Sequence, residues 1–464
     1  MRYISTRGQS PGIGFRDAAL AGLAPDGGLY MPETWPMIAA ADRAAFAGAV
    51  FPEVAAGILS AFAGAEISRS DLLAMAKRAY GAFDTPEVAP VVDLGGDDYL
   101  LELFHGPTLA FKDVAMRMLA QLYDWALEGS ARGKTIIGAT SGDTGGAAIH
   151  AFAGSTKAEV FMLHPQGRIS DVQRRMMTTV KAKNIVNIAV EGTFDDCQSI
   201  VKTLFADPLL TSAHDLGGVN SINFVRLAVQ TVYYFTACAR VEGPVSFVVP
   251  TGNFGDVFAG YAAKKMGAKV ARLGVAVNSN DIMRRAIVSG VYEPSSAQAT
   301  SSPSMDIQIA SNFERLLYEA VGRDADALRA LMGGFEKEGR MVLSEGGRRF
   351  IEADFCAASA SEDEVAAKIR GVLASTGMLI DPHTAVGLAG LEKLRASGEI
   401  TGPAISLATA HPAKFPGAVK AASGKHPELP MRYADLFARE EQMISAPAKA
   451  SAIRTIILNH SLFG

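Results

Sequence analysis

The chemistry readable in this chain is carried by a lysine at the mouth of a helix and by two glycine-rich turns. Lys112 ends the run His105-Gly106-Pro107-Thr108-Leu109-Ala110-Phe111-Lys112, and Asp113 follows it where a helical apolar pattern begins. A cation at a helix N-terminus opposes the positive end of the helix dipole, so helix stability does not account for this lysine. The two turns are Thr140-Ser141-Gly142-Asp143-Thr144-Gly145-Gly146 and Thr251-Gly252-Asn253-Phe254-Gly255-Asp256. Glycines let the backbone approach an anion closely, and the unpaired first amides of a helix donate to it. An amine held near such a turn is what imine formation with a phosphorylated aldehyde requires.

Taken singly, each signal has an ordinary explanation. The turn at 251–256 lacks the Gly-Lys-Ser/Thr of a Walker sequence and the full dinucleotide fingerprint, and reads equally well as a tight strand-to-helix turn. The turn at 140–146 could hold a carboxylate, but alone it is better explained as a helix cap rich in Ser, Thr and Asp. Lys112 alone would be a solvated surface lysine, and Asp113 a first-turn acid that needs no catalytic role. Asn220-Ser221-Ile222-Asn223-Phe224-Val225-Arg226 opens another helix. Its polar groups could bind a second phosphate, with Arg226 supplying a planar fork, or could simply cap the helix. Arg174-Arg175 and Lys181 to Lys183 read as a solvated face, His411 as a packed loop residue, and Asp381-Pro382-His383-Thr384 as a turn and N-cap.

The elements that must position these residues alternate. Tyr99–Leu103 reads as a strand before the lysine motif, and Phe111, Ala115, Met118, Leu119, Leu122 and Trp125 repeat at the helical period after it. Apolar strands at 135–137, 160–163, 186–190, 245–249, 273–277 and 404–408 are mostly followed by helical patterns. This α/β alternation predicts parallel sheets covered on both faces, in two parallel-sheet domains. Ligands in such folds bind beyond the carboxyl ends of the strands, where both glycine-rich turns and Thr409 lie. Residues 1–90, rich in Gly, Pro and Ala, are expected to form a mainly helical N-terminal domain. Residues 91–464 would form the catalytic region, with a smaller subdomain at about 130–235.

Composition narrows the function. A chain of 464 residues, 49% hydrophobic and 20% charged, suits a globular protein of two or three domains. A net charge of -4 gives no reason to expect nucleic acid or an anionic membrane as partner. Cys197, Cys238 and Cys356 are far apart in the chain, and the eight histidines form no metal spacing, so neither a disulfide framework nor a metal site is expected. The absence of an apolar leader at the first residues and of a spanning apolar run points to the cytoplasm.

In order and spacing, these motifs resemble one family. The chain is similar to the threonine synthases, in their longer-chain branch, within the tryptophan-synthase-β-like (fold type II) pyridoxal phosphate enzymes. Asp26-Gly27-Gly28-Leu29-Tyr30, Phe111-Lys112-Asp113, Ser141 to Gly145, Asn220 to Arg226, Thr251 to Asp256 and Leu407 to Phe415 carry the match. Ser302 to Asp306 and Ser311 to Leu316 add to it. The resemblance implies that Lys112 binds the cofactor aldehyde covalently, and that Gly252, Asn253, Phe254, Gly255 and Asp256 hold the cofactor phosphate. It implies that Thr409 faces the pyridine nitrogen. Ser141, Asp143 and Thr144 would close over the substrate carboxylate near the cofactor's phenolic oxygen, and Asn220, Ser221 and Arg226 would hold a substrate phosphate. Many fold type II enzymes place Asn at the position of Asp143. An ionised Asp there would be repelled, so it is expected to be protonated or turned away.

The implied reaction converts O-phospho-L-homoserine and water to L-threonine and phosphate, with Lys112 as the base at several carbons and the protein a monomer or homodimer. A threonine dehydratase or an O-acetylserine sulfhydrylase is the alternative, but neither needs a second phosphate site. A nucleotide-dependent oxidoreductase would need the acidic residue of a dinucleotide fingerprint.

Overall fold

In a computed structural model, which describes residues 1–130, 132–219 and 221–463, two separate sheets are built from interleaved parts of the chain. The larger has six strands in the order Phe355–Ser359, Val270–Val277, Val245–Pro250, Ala404–Ala408, Asp98–Glu102, Val91–Gly95. All its pairings are parallel except the last, in which Val91–Gly95 runs antiparallel at the edge. The smaller has five parallel strands in the order Ile444–Pro447, Ile185–Glu191, Ala158–Pro165, Lys134–Ala139, Asp215–Gly217. Its edge strand Ile444–Pro447 arrives from the far end of the chain, well outside the 130–235 range.

The central strands are buried along their whole length because both faces are covered. Val245–Pro250 and Ala158–Pro165 are buried at every position, the pattern of a parallel strand under helices on each side. Residues 15–80 supply short helices packed on the long helix Phe224–Arg240. Tyr3 and Phe62 meet the ring of Phe224 at 5.4 and 5.7 Å between centroids.

The helix Lys112–Ala126 bridges the two halves. Val114, Met118, Leu119, Leu122 and Tyr123 are fully buried, each contributing about 1.5–3 kcal/mol of apolar burial. Its first residue is therefore held rigidly. The three motif-bearing loops all leave the carboxyl ends of parallel strands: 140–142 after Lys134–Ala139, 251–254 after Val245–Pro250, and Thr409 after Ala404–Ala408.

Candidate functional site

Lys112 is the first residue of its helix, and Phe111 before it makes no side-chain cap. The loop leading to it is pinned by Asp113, whose two carboxylate oxygens accept from the amide and the hydroxyl of Thr108, both at 2.6 Å. Leu109 in this loop is buried yet has a φ of 57°, a left-handed conformation that costs a non-glycine residue about 1–2 kcal/mol. Its neighbour Ala110 bridges Ala410, and Phe111 N donates to the Thr409 carbonyl at 2.9 Å. The residue before Lys112 is thus tied to the end of strand Ala404–Ala408, and Thr409 itself is buried.

The side chain of Lys112 is 12% exposed, and its Nζ lies 3.6 Å from Asp143 Oδ2. Burial lowers the basicity of this amine. Asp143 opposes the effect, while Lys414 and Arg226 add to it. Asp143 is the first residue of helix Asp143–Phe152 and is held from several sides. Its Oδ1 accepts from Lys414 Nζ at 2.7 Å and from Gln173 Nε2 at 3.0 Å, and its Oδ2 accepts from Ser304 Oγ at 3.3 Å. Burial disfavours its ionisation, but the ammonium groups of Lys414 and Lys112 prevail and hold the carboxyl well below the usual range. Asp143 is expected to be protonated or turned away from the cofactor's phenolic oxygen; here its carboxyl lies beside Lys112 and accepts from a second buried lysine, Lys414.

The rest of the 140–146 turn divides between support and access. Thr140 Oγ1 accepts from Gly142 N at 3.0 Å and Gly145 N at 2.9 Å, which shapes the turn. Ser141 is exposed and Thr144 half-buried, so their hydroxyls remain accessible to a ligand.

In the second turn, Phe254 caps helix Gly255–Lys265 from a left-handed conformation, φ 65°, without a side-chain hydrogen bond. Its ring packs on Phe313 and Phe355, with centroids 5.4 and 5.8 Å away, which anchors the strained residue. No side chain caps the first amides of this helix, which are therefore available to an anion. Gly252 lies against the Ser302–Asp306 loop, and a Cβ there would come within 2.7 Å of the Ser304 carbonyl. Asn253 is exposed, and its carbonyl accepts from Asn312 N and Nδ2, both at 3.1 Å. Asp256 Oδ1 accepts from the hydroxyls of Tyr233 and Tyr234 at 2.5 and 2.9 Å. What Asp256 can offer a phosphate is its main-chain amide. Burial raises its carboxyl to about 6, against the pull of the two tyrosines.

Arg226 is 4% exposed, and its Nη1 has no hydrogen-bond partner among the described residues. Burial lowers its guanidinium to about 10, with Tyr233 and Asp256 opposing. It remains a cation at neutral pH, and its charge acts on both Lys112 and Asp256. Ser221 is half-buried at the same helix start, and Asn220 lies outside the described residues. Asn223 acts within the fold instead. Its Nδ2 donates to the carbonyls of Ala19 and Ala21 at 2.8 and 2.9 Å, and its Oδ1 caps Arg226 N. It ties the helix to the N-terminal residues.

Sequence reasoning did not single out Lys414, Gln173, Ser304 or His383. The signal for Lys414 and Ser304 was their place inside matched motifs. His383 Nε2 accepts from Ser304 N at 3.3 Å, and its Nδ1 pairs with Asp381 Oδ2 at 2.7 Å. The expected N-cap role of Asp381 is present, and it also fixes the imidazole that holds Ser304. The pair Arg174-Arg175 is not a solvated face. Arg174 Nε and Nη2 donate to Glu441 at 2.8 and 3.1 Å, because the C-terminal segment returns across helix Asp171–Thr178. Among the described residues no cluster of His, Cys, Asp and Glu could hold a metal, and no helix is long and apolar enough to cross a membrane.

This combination of a largely buried amine with lowered basicity, an uncapped helix start after a glycine turn and a guanidinium whose Nη1 has no partner among the described residues fits a ligand with an aldehyde and a phosphate. Comparison with known proteins agrees. Residues 2–80 match the family described as threonine synthase N terminus, residues 89–349 match pyridoxal-phosphate dependent enzyme, and residues 384–457 match threonine synthase, C-terminal. The threonine synthase of Pseudomonas aeruginosa is 44% identical over 99% of this chain and 98% of its own length. The crystal structure of pyridoxal-phosphate-bound threonine synthase from Brucella melitensis superposes with a TM-score of 0.97 at 48% identity, covering 100% of both chains. Yeast threonine synthase superposes with a TM-score of 0.94 at 37% identity, over 99% of this chain and 98% of its own. A tomato threonine deaminase, at 14% identity and a TM-score of 0.52, shares only the fold. The chain belongs to the threonine synthase family of pyridoxal-phosphate-dependent enzymes.

Proposed function

We propose that this chain converts O-phospho-L-homoserine and water to L-threonine and inorganic phosphate, with Lys112 as the cofactor-bearing lysine and proton carrier. The observation that carries the reading is Arg226, a buried cation with an unpartnered Nη1 near Lys112. Burying an arginine without a partner costs several kcal/mol, and a substrate phosphate supplies the missing anion. A dehydratase acting on an unphosphorylated hydroxy amino acid has no group to satisfy it.

In this reading, Lys112 and the main-chain amides of residues 252–256 hold the cofactor, with Thr409 at the pyridine nitrogen. When bound, pyridoxal phosphate supplies an electron sink for the negative charge that develops beside the substrate amine. The proton transfers then fall to Lys112. Its long stem lets one amine reach several carbons, and its lowered basicity favours the free amine that can accept a proton. It takes a proton from Cα and then from Cβ as the Cγ–O bond to phosphate breaks, and it returns a proton to Cγ. Water adds at Cβ, its oxygen forming the new C–O bond and its second proton leaving, and Lys112 returns a proton to Cα to complete threonine. Arg226, with Ser221 and Asn220, neutralises the departing phosphate. Ser141 and Thr144 orient the substrate carboxylate from the accessible side of the 140–146 turn. A small-molecule substrate and three free cysteines suit a cytoplasmic enzyme.

The test is a spectrum followed by an assay. The purified protein is expected to show the visible band of lysine-bound pyridoxal phosphate, and with O-phospho-L-homoserine to release phosphate and L-threonine in equal amounts. A visible band without phosphate release would reject the substrate. No band after cofactor addition would reject the role of Lys112.

A further inference from the structure

Two lysines share one carboxylate at the heart of this site, and they share it unequally. Lys414 is 1% exposed. Its Nζ lies 2.7 Å from Asp143 Oδ1 and donates to the Thr108 carbonyl at 2.7 Å. Lys112 Nζ stands 3.6 Å from the other oxygen, Oδ2. The first distance is that of a charge-assisted hydrogen bond, and the second is too long for one. The carboxylate is thus committed to Lys414.

The backbone holds Lys414 in place. It closes the short 3-10 turn Pro412–Lys414, in which His411 Nδ1 accepts from Ala413 N at 3.2 Å. Its carbonyl accepts from Ser170 Oγ at 3.3 Å, and Ser170 is the N-cap of helix Asp171–Thr178. Lys414 therefore stands at the junction of the two sheet domains, with the Lys112 loop at its ammonium.

We propose that Lys414 is a positioning residue for Lys112. Its ammonium serves as the counter-ion of Asp143 and so leaves the Lys112 amine free to act as nucleophile and base. The inference rests on the reading of Lys112 as the cofactor-bearing lysine. Without Lys414, a buried carboxylate would face Lys112 alone, and an unpaired buried charge is costly enough to hold the nearest proton. Lys112 would then be kept as an ammonium. The charged groups facing it are Asp143, Lys414, Arg226 and Asp256. Only the two carboxylates favour its protonation, and Lys414 answers the nearer one. The same arrangement explains why an Asp is tolerated at position 143.

The test measures cofactor capture, not turnover. Full-length protein stripped of cofactor is mixed with pyridoxal phosphate at pH values from about 6 to 10, and the growth of the visible band gives the pH midpoint of capture. In Lys414→Met the midpoint is expected to rise by about one pH unit, which is about tenfold slower capture on the acid side. In Asp143→Asn it is expected to fall, because Lys414 then repels the Lys112 proton unopposed. In the double variant it should lie between the two. Opposite shifts in the single variants support the proposal. An unshifted midpoint in Lys414→Met, or shifts of the same sign in both, would overturn it. If Lys414→Met does not fold, Asp143→Asn and the double variant still decide, since the double variant must have the higher midpoint of the two and equal midpoints overturn the proposal. Borohydride trapping in Lys112→Ala separates the two readings. Persistent covalent labelling there rejects Lys112 itself, whereas loss of labelling with unshifted Lys414 variants rejects only the role of Lys414.

Discussion

Alanine at Gly252 adds one methyl group at the point where the phosphate-binding turn meets the Ser302–Asp306 loop. The new Cβ would stand 2.7 Å from the Ser304 carbonyl oxygen and 3.5 Å from Met305 Cα. Both are backbone atoms, so no flexible side chain can swing aside, and the loop or the turn must move. Ser304 has little slack, since it donates from its amide to His383 Nε2 and from its hydroxyl to Asp143 Oδ2, each at 3.3 Å. These contacts are already near the long limit, and a shift of several tenths of an ångström breaks them. Two hydrogen bonds at about 1 kcal/mol each, with about 1 kcal/mol of overpacking, bring the cost to about 3 kcal/mol. The turn is a loop at a strand end, so it yields before the core does, and the cost falls on ligand binding. Cofactor affinity should weaken about 100-fold, while the melting temperature of the cofactor-free protein changes little. Titrating pyridoxal phosphate into stripped wild-type and Gly252→Ala protein, with a thermal melt of each, measures both. A dissociation constant within about twofold of wild type would refute the close approach. An unchanged constant with a large fall in melting temperature would refute the assignment of the strain to the binding turn.

Other expectations follow from single groups. Lys112→Ala should lose the visible band of bound cofactor while keeping the fold; a persisting band would reject Lys112. Arg226→Ala should keep the band but lower phosphate release about 10²–10³-fold, the usual cost of deleting a charge-stabilising donor, and unchanged turnover would contradict the assignment. Asp256 gives a pH dependence of stability. Its carboxyl is raised to about 6 chiefly by burial, so the folded state holds this proton more tightly than the unfolded chain. The stabilisation is complete below about pH 4 and is lost as pH climbs through about 6, amounting to about 3 kcal/mol. Asp256→Asn should remove that loss, as read from urea midpoints between pH 4 and 7. An unchanged slope would show that Asp256 does not carry it.

The parts of this fold that could be read in advance are those whose reason is local. Fully buried strands such as Val245–Pro250 are mostly apolar runs, and the turns after them carry glycines because a backbone or a ligand comes close. Elements whose reason is distant were not legible. Val91–Gly95 is an antiparallel edge strand, half-exposed and containing Asp93, and nothing in it alternates cleanly. Ile444–Pro447 contains only four residues, two of them Ser and Pro, and becomes a strand only because Ile185–Glu191 presents an open edge. The same division runs through the site. Lys112 could be picked out because a lysine at a helix start is locally unfavourable. Asn223 could be placed at a helix start, but the partners of its Nδ2 are carbonyls near the chain's beginning.

Asp143 shows why local reasoning fails at such positions. A buried carboxylate beside a cofactor oxygen invites the inference that it must be neutral, and the inference holds if its surroundings are otherwise uncharged. They are not, since a lysine from the loop after Ala404–Ala408 lies 2.7 Å away. A buried ion pair needs both members present, and removing one leaves a charge that costs more than the pair contributes. Asp143 and Lys414 are therefore one feature written at two distant places in the chain, and neither can be interpreted until the fold has brought them together. Both are joined to Lys112 through the same few atoms, so a change at either position should first appear as a change in how Lys112 titrates.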